Sequence, residues 1–383
     1  MTARIDPLTA SADVDLDAVR ANVSALAALV APAAVMVVVK ADGYGHGLVP
    51  CARAARSVGA AWLGVATPAE ALALRESGDT GAVLAWLYGV DEDLTPLVAA
   101  GVDVSVSTAE QVSRLVGAAA TAEQPARVHL KIDTGLSRNG AAASEWDALC
   151  AAAAEAEAAG ALEVVALWSH LAAADEPGHP SVALQVAAFD DAYARARVAG
   201  LEPRLRHLAN SAGALVVPEA RYDLVRIGIA SYGVDPAPGL AARAGVTLRP
   251  AMTLRAQLAQ VKDLPAGAGV SYGWTWIAPR PVTVGLVPLG YADGVPRHAS
   301  DVAQVQVSGG RAPVRGRVCM DQLVVELPGP AEIGDDVVLF GPGGAGEPTA
   351  ADWAAWCGTI GYEIVTRVGE RVPRRYRGDE GTA

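Results

Sequence analysis

Lysine is scarce in this chain. Of its 30 lysines and arginines only Lys40, Lys131 and Lys262 are lysine. Lys40 closes the run "VVVK" and is followed by "ADGYGHG". An ammonium group is costly at the end of a buried strand. Arginine could replace it as a surface charge, but arginine neither deprotonates near neutral pH nor forms an imine. A desolvated lysine amine, by contrast, has a lowered pKa and attacks carbonyls. The type and place of Lys40 therefore point to carbonyl chemistry.

The elements that must hold Lys40 are legible around it. Short β-branched or apolar runs recur at 35–40, 61–67, 82–89, 102–107, 127–134, 163–171, 205–211 and 224–233, with room for a helix between neighbours. Several are apolar nearly throughout, as strands covered on both faces are. Stretches such as "TPAEALALRESG" (67–78) carry apolar residues at helical spacing. Eight βα units over about 240 residues predict a (β/α)8 TIM barrel. A doubly wound sheet is the alternative, because periodicity alone does not close a barrel. After Gly239 the pattern changes to period two with Gly and Pro turns, and "TAADWAAW" (349–356) is the first helical segment. This predicts a mainly antiparallel β-domain. The expected organisation is a barrel over 12–239 and a β-domain over 240–383, with residues 12–16 a candidate strand of the latter.

In a TIM barrel, chemistry sits at the C-terminal ends of the strands. Those ends carry Lys40, then Lys131 and Arg138, His170, His207 with Asn210 and Ser211, and Arg226. A single buried histidine is most often structural; six titratable groups at five strand ends are harder to read that way. A cofactor that exploits such a lysine is pyridoxal phosphate, held as a Schiff base. Its phosphate needs main-chain amides at a glycine-bearing turn, which "RIGIASYG" and "ANSAG" would supply.

Composition narrows the class. The chain has 383 residues, half of them apolar, and a net charge of −12, which argues against nucleic acid as a partner. The basic "RVPRRYR" near the C-terminus reads as a solvated or salt-bridged strand. "MTARIDPLTA" has no hydrophobic signal segment, and "AAVMVVV" is too short to span a bilayer. Cys51, Cys150, Cys319 and Cys357 are scattered without zinc-site spacing. A cytoplasmic protein with no metal and no membrane partner is expected.

"VVVKADGYGHG" resembles the pyridoxal-phosphate attachment segment of alanine racemases, enzymes of fold type III. So do, in the family's order, "KIDTGLSRNG", "WSHLAAADE", "HLANSAG", "VRIGIASYG", "GVSYGWTW", "LGYADGVPR", "GRVCMDQ" and "TIGYEIVTRVGERVPRRY". The resemblance spans nearly the whole chain. It implies interconversion of L- and D-alanine by a homodimer with shared active sites, supplying D-alanine for peptidoglycan. Lys40 would be the Schiff-base lysine and one of two bases. Tyr272, from the second subunit, would be the other, because racemisation needs an acid/base group on each face of Cα. An unperturbed tyrosine titrates near about 10, and His170 and Arg226 would form the relay that lowers it.

By the same resemblance Arg226 faces the pyridine nitrogen and leaves it unprotonated. Tyr44, Ser211, the amides of Gly228 and Ile229, and Tyr362 hold the phosphate; His170 and Asn210 stand among the cofactor-binding residues. Arg138 lies beside the phenolic oxygen and the substrate. The Met320 amide, from the second subunit, receives the substrate carboxylate, and Tyr291 narrows the entrance. Lys131 matches a lysine that is carbamylated in many members and positions Arg138. Three positions depart from the pattern: Ser137 for glycine, Gly361 for asparagine, and Ser231 for leucine.

Other readings stay open. Gly341, Gly343 and Gly346 form G-x-G-x-x-G before a helix, the dinucleotide fingerprint, although Pro342 and the short chain beyond weigh against it. Asp175, Glu176 and His179 near His170 match no common metal spacing. His46, His129 and His298 read as structural or surface residues, Cys319 as packing, and the tryptophans as core and interface. A decarboxylase or broad-specificity racemase on the same scaffold, or a non-enzymatic pyridoxal-phosphate protein, are the rival functions.

Overall fold

The structure is a computed structural model that describes residues 10–378. Strand β1 (Ala10–Asp15) leads into a helix, Leu16–Val30, capped by Asp15 Oδ1 accepting from the Ala18 amide at 3.0 Å. Eight parallel strands follow: β2 (Ala34–Val38), β3 (Trp62–Val65), β4 (Ala82–Ala85), β5 (Asp103–Val106), β6 (Ala126–Lys131), β7 (Leu162–Trp168), β8 (Leu205–His207) and β9 (Leu224–Ile227). Each pairs with the next from β2 to β8, and β9 pairs with β2. The ring closes between β8 and β9, where the Asp223 amide donates to Arg206 O at 3.2 Å and the Arg226 amide to Ala209 O at 2.9 Å. Closure settles the choice between barrel and open sheet in favour of the barrel.

Every expected strand forms, shorter than its apolar run at the C-terminal end. The trimmed residues are the ones that turn into the rim loops. Inside the barrel Met36, Trp62, Leu84, Val165, Ala166 and Leu224 pack together. Beside them lie buried Asp103, Ser105, His129, Lys131, His207 and Arg226. Buried polar groups of this kind need internal partners.

The rest is mainly antiparallel, after a short helix at Leu240–Arg243 that the period-two pattern does not announce. β10 (Met252–Gln257) alternates buried and outward residues, as a sheet with one covered face does. It is followed by β11 (Gln260–Leu264), β12 (Gly269–Val270), β13 (Trp276–Ile277), β14 (Val282–Val287), β15 (Gln304–Val307), β16 (Gly310–Pro313), β17 (Leu323–Glu326), β18 (Asp336–Phe340) and β19 (Arg374–Arg377). The main sheet runs β16-β15-β18-β10-β1-β19, with separate β11-β14-β17 and β12-β13 sheets. β1 lies antiparallel to β10 and parallel to β19, so the described chain starts and finishes in one sheet. A helix at Ala350–Cys357 is joined by a second, Gly361–Thr366, that no periodicity announces in six residues.

The glycine loop before that first helix is not a phosphate cradle. Glu347 fills it, accepting from the Gly343 amide at 2.8 Å and the Ala345 amide at 2.9 Å. The carboxylate stands where a phosphate-binding loop leaves room for an anion. Among the described residues no helix is long and apolar enough to cross a membrane.

Candidate active site

Lys40 opens a turn that runs left-handed. Ala41, Asp42, Gly43 and Tyr44 have φ of 52°, 53°, 60° and 53°. Each non-glycine residue there costs about 1–2 kcal/mol, so the surroundings must hold the turn. The Gly43 amide donates to Val39 O at 2.8 Å and the Gly45 amide to Ala41 O at 2.9 Å. Asp42 Oδ1 accepts from the Leu48 amide at 2.7 Å, and Glu70 Oε1 from the Ala41 amide at 2.6 Å. His46 Nδ1 lies 3.1 Å from Gly43 O and 2.9 Å from Tyr44 O, so it carries the ring proton. At Gly45 (φ 80°) a Cβ would stand 2.5 Å from Val365 O, which excludes any side chain. Backbone strain concentrated in the residues that follow one lysine fits a functional position.

The β-sheets reach this turn. Arg374 Nε donates to Gly45 O at 3.0 Å, and its other nitrogens bond the carbonyls of Val368, Gly369 and Val372. The basic segment is thus a strand as expected, salt-bridged at Arg371 and Arg377 and exposed at Arg375, while Arg374 is held in another way. Backbone carbonyls, invisible in a charge pattern, are its partners.

Around Lys40 the charge is nearly all positive. Burial, then Arg138, lowers the Lys40 pKa, while Glu70 raises it. The ammonium lies 5.8 Å from the Trp86 ring centre. Lys131, 4 % exposed, sits 4.2 Å over Trp168. Burial, helped by Arg226 and Arg138, brings it down to about 7. Sequence reasoning assigned these two tryptophans only to core and interface.

Arg226 is buried without a carboxylate. Nη1 donates to His207 O at 2.9 Å and meets His207 Nδ1 at 3.1 Å. Nη2 donates to Ser169 O at 2.7 Å and Leu208 O at 3.0 Å and meets His170 Nδ1 at 3.1 Å. Burial and Arg138 lower Arg226 to about 9, which leaves it charged at neutral pH. Burial, then Arg226, pushes His170 and His207 well below the ordinary histidine value, so both rings are neutral. Among the described residues no hydrogen bond engages Arg226 Nε, which leaves its N–H to donate.

A second group of candidates meets beside β9. Ser211 Oγ accepts from the Gly228 amide at 2.9 Å and the Ala230 amide at 3.5 Å, which leaves its own proton to donate. A Cβ at Gly228 would lie 2.4 Å from Tyr44 Oη. The Tyr44 and Tyr362 rings are 6.3 Å apart. Asn210 Oδ1 is committed to capping the helix Ser211–Val216 through the Gly213 amide at 2.9 Å. Gly361 packs on Val234, where a Cβ would stand 2.8 Å from Val234 Cγ1.

Arg138 is exposed at the rim. Ser137 before it has φ of 57°, the region that favours glycine, and its amide and that of Gly135 are held by Asp133 Oδ1. Tyr272, Tyr291 and Met320 form a separate cluster in the β-sheet part. Ser271 Oγ donates to Arg317 O at 2.6 Å, and the Tyr291 and Ala292 amides donate to Cys319 O and Met320 O at 3.0 and 2.9 Å. Tyr272 is 70 % exposed and makes no side-chain hydrogen bond among the described residues. Cys319 Sγ lies 3.4 Å from Ser271 Oγ and has no base beside it.

Family models of the alanine racemase N-terminal and C-terminal domains match residues 14–236 and 251–376. An alanine racemase of Streptomyces coelicolor is 54% identical over 384 residues, 98% of each chain. One of Frankia casuarinae is 53% identical over 371 residues, 96% of each. The crystal structure of alanine racemase from D-cycloserine producing Streptomyces lavendulae superposes with a TM-score of 0.95 at 51% identity, covering 97% of this chain and 98% of that one.

Proposed function

The chain belongs to the alanine racemase family and interconverts L- and D-alanine, and from that premise we propose which residues do the work and with what cofactor. The carrying observation is the cation-rich rim: Lys40, Lys131, Arg138 and Arg226 share one strand-end cluster with few carboxylates. Such a donor set suits pyridoxal phosphate. The unused Nε–H of Arg226, the free hydroxyl proton of Ser211 and the space that glycine leaves beside Tyr44 match a ring nitrogen and a phosphate. When bound, pyridoxal phosphate supplies the electron sink that acidifies the alanine α-proton.

Lys40 would hold the cofactor and, once the substrate amine has released its own amine, would move a proton on one face of the alanine Cα, which its lowered pKa favours. Tyr272 of a second copy of the chain serves the other face. Its exposure, on a loop with φ of 59° at Ser271 and 47° at Trp274, supports that assignment. Trp274 and Met320 are exposed as well, so a partner covers an apolar surface that is costly to leave in water. Arg226, charged at neutral pH, would face the ring nitrogen and donate a hydrogen bond to it rather than give up its proton. Neutral His170 accepts from Arg226 through Nδ1 and turns its Nε2–H outward to the tyrosine. Arg138 and the Met320 amide orient the carboxylate, and Tyr291 limits side-chain size. Tyr44, Ser211, Gly228, Ile229 and Tyr362 hold the phosphate, with Asn210 supporting Ser211 as a helix cap. Lys131 carries a carbamate that balances the two arginines.

The working unit is a homodimer of two-part chains, a barrel over 12–239 whose first residues pair into the β-domain as β1, and a β-domain over 240–383. It acts in the cytoplasm and feeds D-alanine to peptidoglycan precursors. The test is proton NMR of L-alanine in heavy water with protein and cofactor, paired with chiral analysis. Loss of the α-proton signal together with equal L and D isomers supports the reading. Exchange without inversion overturns the two-base assignment.

A further inference from the structure

Behind Arg226, on the side away from Lys40, a file of buried polar side chains crosses the barrel interior. His207 Nε2 lies 2.9 Å from His129 Nδ1, and His129 Nε2 lies 3.0 Å from Asp103 Oδ2. Both rings are 0 % exposed and Asp103 is 1 % exposed. Trp62 meets His129 edge-on and Trp168 stacks on His207, so the file is walled by aromatic rings. Asp103 Oδ1 accepts from Arg127 Nε at 2.7 Å, and Arg127 Nη1 pairs with Glu163 at 2.6 Å near the surface.

The donors and acceptors in this file run in one direction. A guanidinium only donates, so His207 Nδ1 is a bare lone pair and its proton sits on Nε2. That proton points at His129 Nδ1, which must then accept, so His129 carries its proton on Nε2. The last contact is met because a carboxylate only accepts. An additional proton on either ring would set two donors against each other. We propose that Asp103 is a positioning residue for Arg226, fixing the tautomers of His129 and His207 so that a lone pair faces Nη1. With Nη1 held, Nη2 stays on His170, and the polarity of that histidine toward the reacting tyrosine is set from the far side of the barrel. The inference rests on the proposed role of Arg226, but its central readout does not.

Two variants separate positioning from plain structure. Asp103→Asn keeps an oxygen for His129 while half-exposed Arg127 turns to water. Asp103→Leu keeps the volume and offers no acceptor. Both lose the Arg127 ion pair. The cofactor-loaded enzyme and both variants, labelled with 15N-histidine, are examined by imidazole nitrogen shifts. The expected result is Nε2–H tautomers for His129 and His207 in the parent and in Asp103→Asn, and altered tautomers in Asp103→Leu. The kcat/KM for alanine falls by about 10-fold or more in Asp103→Leu alone, the scale for outer-shell carboxylate–histidine partners. Parent rings found as Nδ1–H or imidazolium overturn the proposed direction. Equal losses in both variants with unchanged tautomers reduce Asp103 to a structural residue. Should Asp103→Leu not fold, His129→Phe interrupts the same file with an aromatic ring kept against Trp62. It should shift the His207 signals and lower kcat/KM to the same degree; parent-like values for both overturn the proposal.

Discussion

The amide of Ala41, next to Lys40, donates to Glu70 Oε1 at 2.6 Å, while Glu70 Oε2 accepts from the amides of Ala66 and Thr67 at 2.9 and 3.0 Å. One carboxylate therefore caps a helix and pins a left-handed turn. Glu70→Ala removes three charge-assisted hydrogen bonds and should lower the unfolding free energy by about 2 kcal/mol or more. Glu70→Gln has one acceptor oxygen and should fall between. Urea melts followed by tryptophan fluorescence measure both; a parent-like midpoint for Glu70→Ala shows the turn does not depend on it.

Much of this was legible beforehand, for a physical reason. Parallel strands buried on both faces are apolar runs, so a lysine or arginine at their ends stands out, as Lys40, Lys131 and Arg226 do. Glu70 was hidden because it also completes an ordinary capping box with Thr67. Its second task depends on where the β2 turn lies in space. Asp103 and His129 sit inside strands, and their meeting requires a closed barrel. An aspartate within the apolar run "VDVSVS" was the available signal. Arg374 reaches Gly45 from the other end of the chain, a distance that local pattern cannot bridge.

Ser137 occupies a left-handed conformation without the freedom of glycine. Ser137→Gly should stabilise the protein by up to about 1 kcal/mol, the relief of strain exceeding the entropy gained by the unfolded chain. A rise in thermal midpoint is the expected reading. A fall would mean that the serine side chain contributes more at the rim than its backbone costs.

Gly228 is needed because of Tyr44. Gly228→Ala places a methyl 2.4 Å from Tyr44 Oη and must displace the ring. Cofactor affinity, measured by equilibrium dialysis with pyridoxal phosphate, should weaken by about 10-fold or more, equivalent to about 1.4 kcal/mol. Unchanged affinity would remove Tyr44 and Gly228 from the phosphate site.

Lys131 makes stability depend on pH. Its folded value of about 7 lies below the unfolded value of about 10.4. Between them the unfolded chain holds a proton that the folded chain has released. Stability should therefore climb as pH rises through that window in carbonate-free buffer, and the penalty is full below about 7. Lys131→Met should flatten the climb. With 13C-bicarbonate a carbamate carbon signal should appear in the parent and be absent from Lys131→Met; no signal in the parent discards the carbamate.

The proposed sharing of the site between subunits can be tested by mixing. Lys40→Ala and Tyr272→Ala homodimers should each be nearly inactive, since each lacks one base in both sites. Unfolded together and refolded, half the dimers are hybrids. In a hybrid one site combines the intact Lys40 of one subunit with the intact Tyr272 of the other, and the second site lacks both. Random pairing thus restores about one quarter of parental activity. If Lys40 and Tyr272 acted within one chain, every site in the mixture would still lack one base and mixing would restore nothing. The two arrangements differ in outcome although their residues are identical, so the assay tests where Tyr272 acts as well as whether it does.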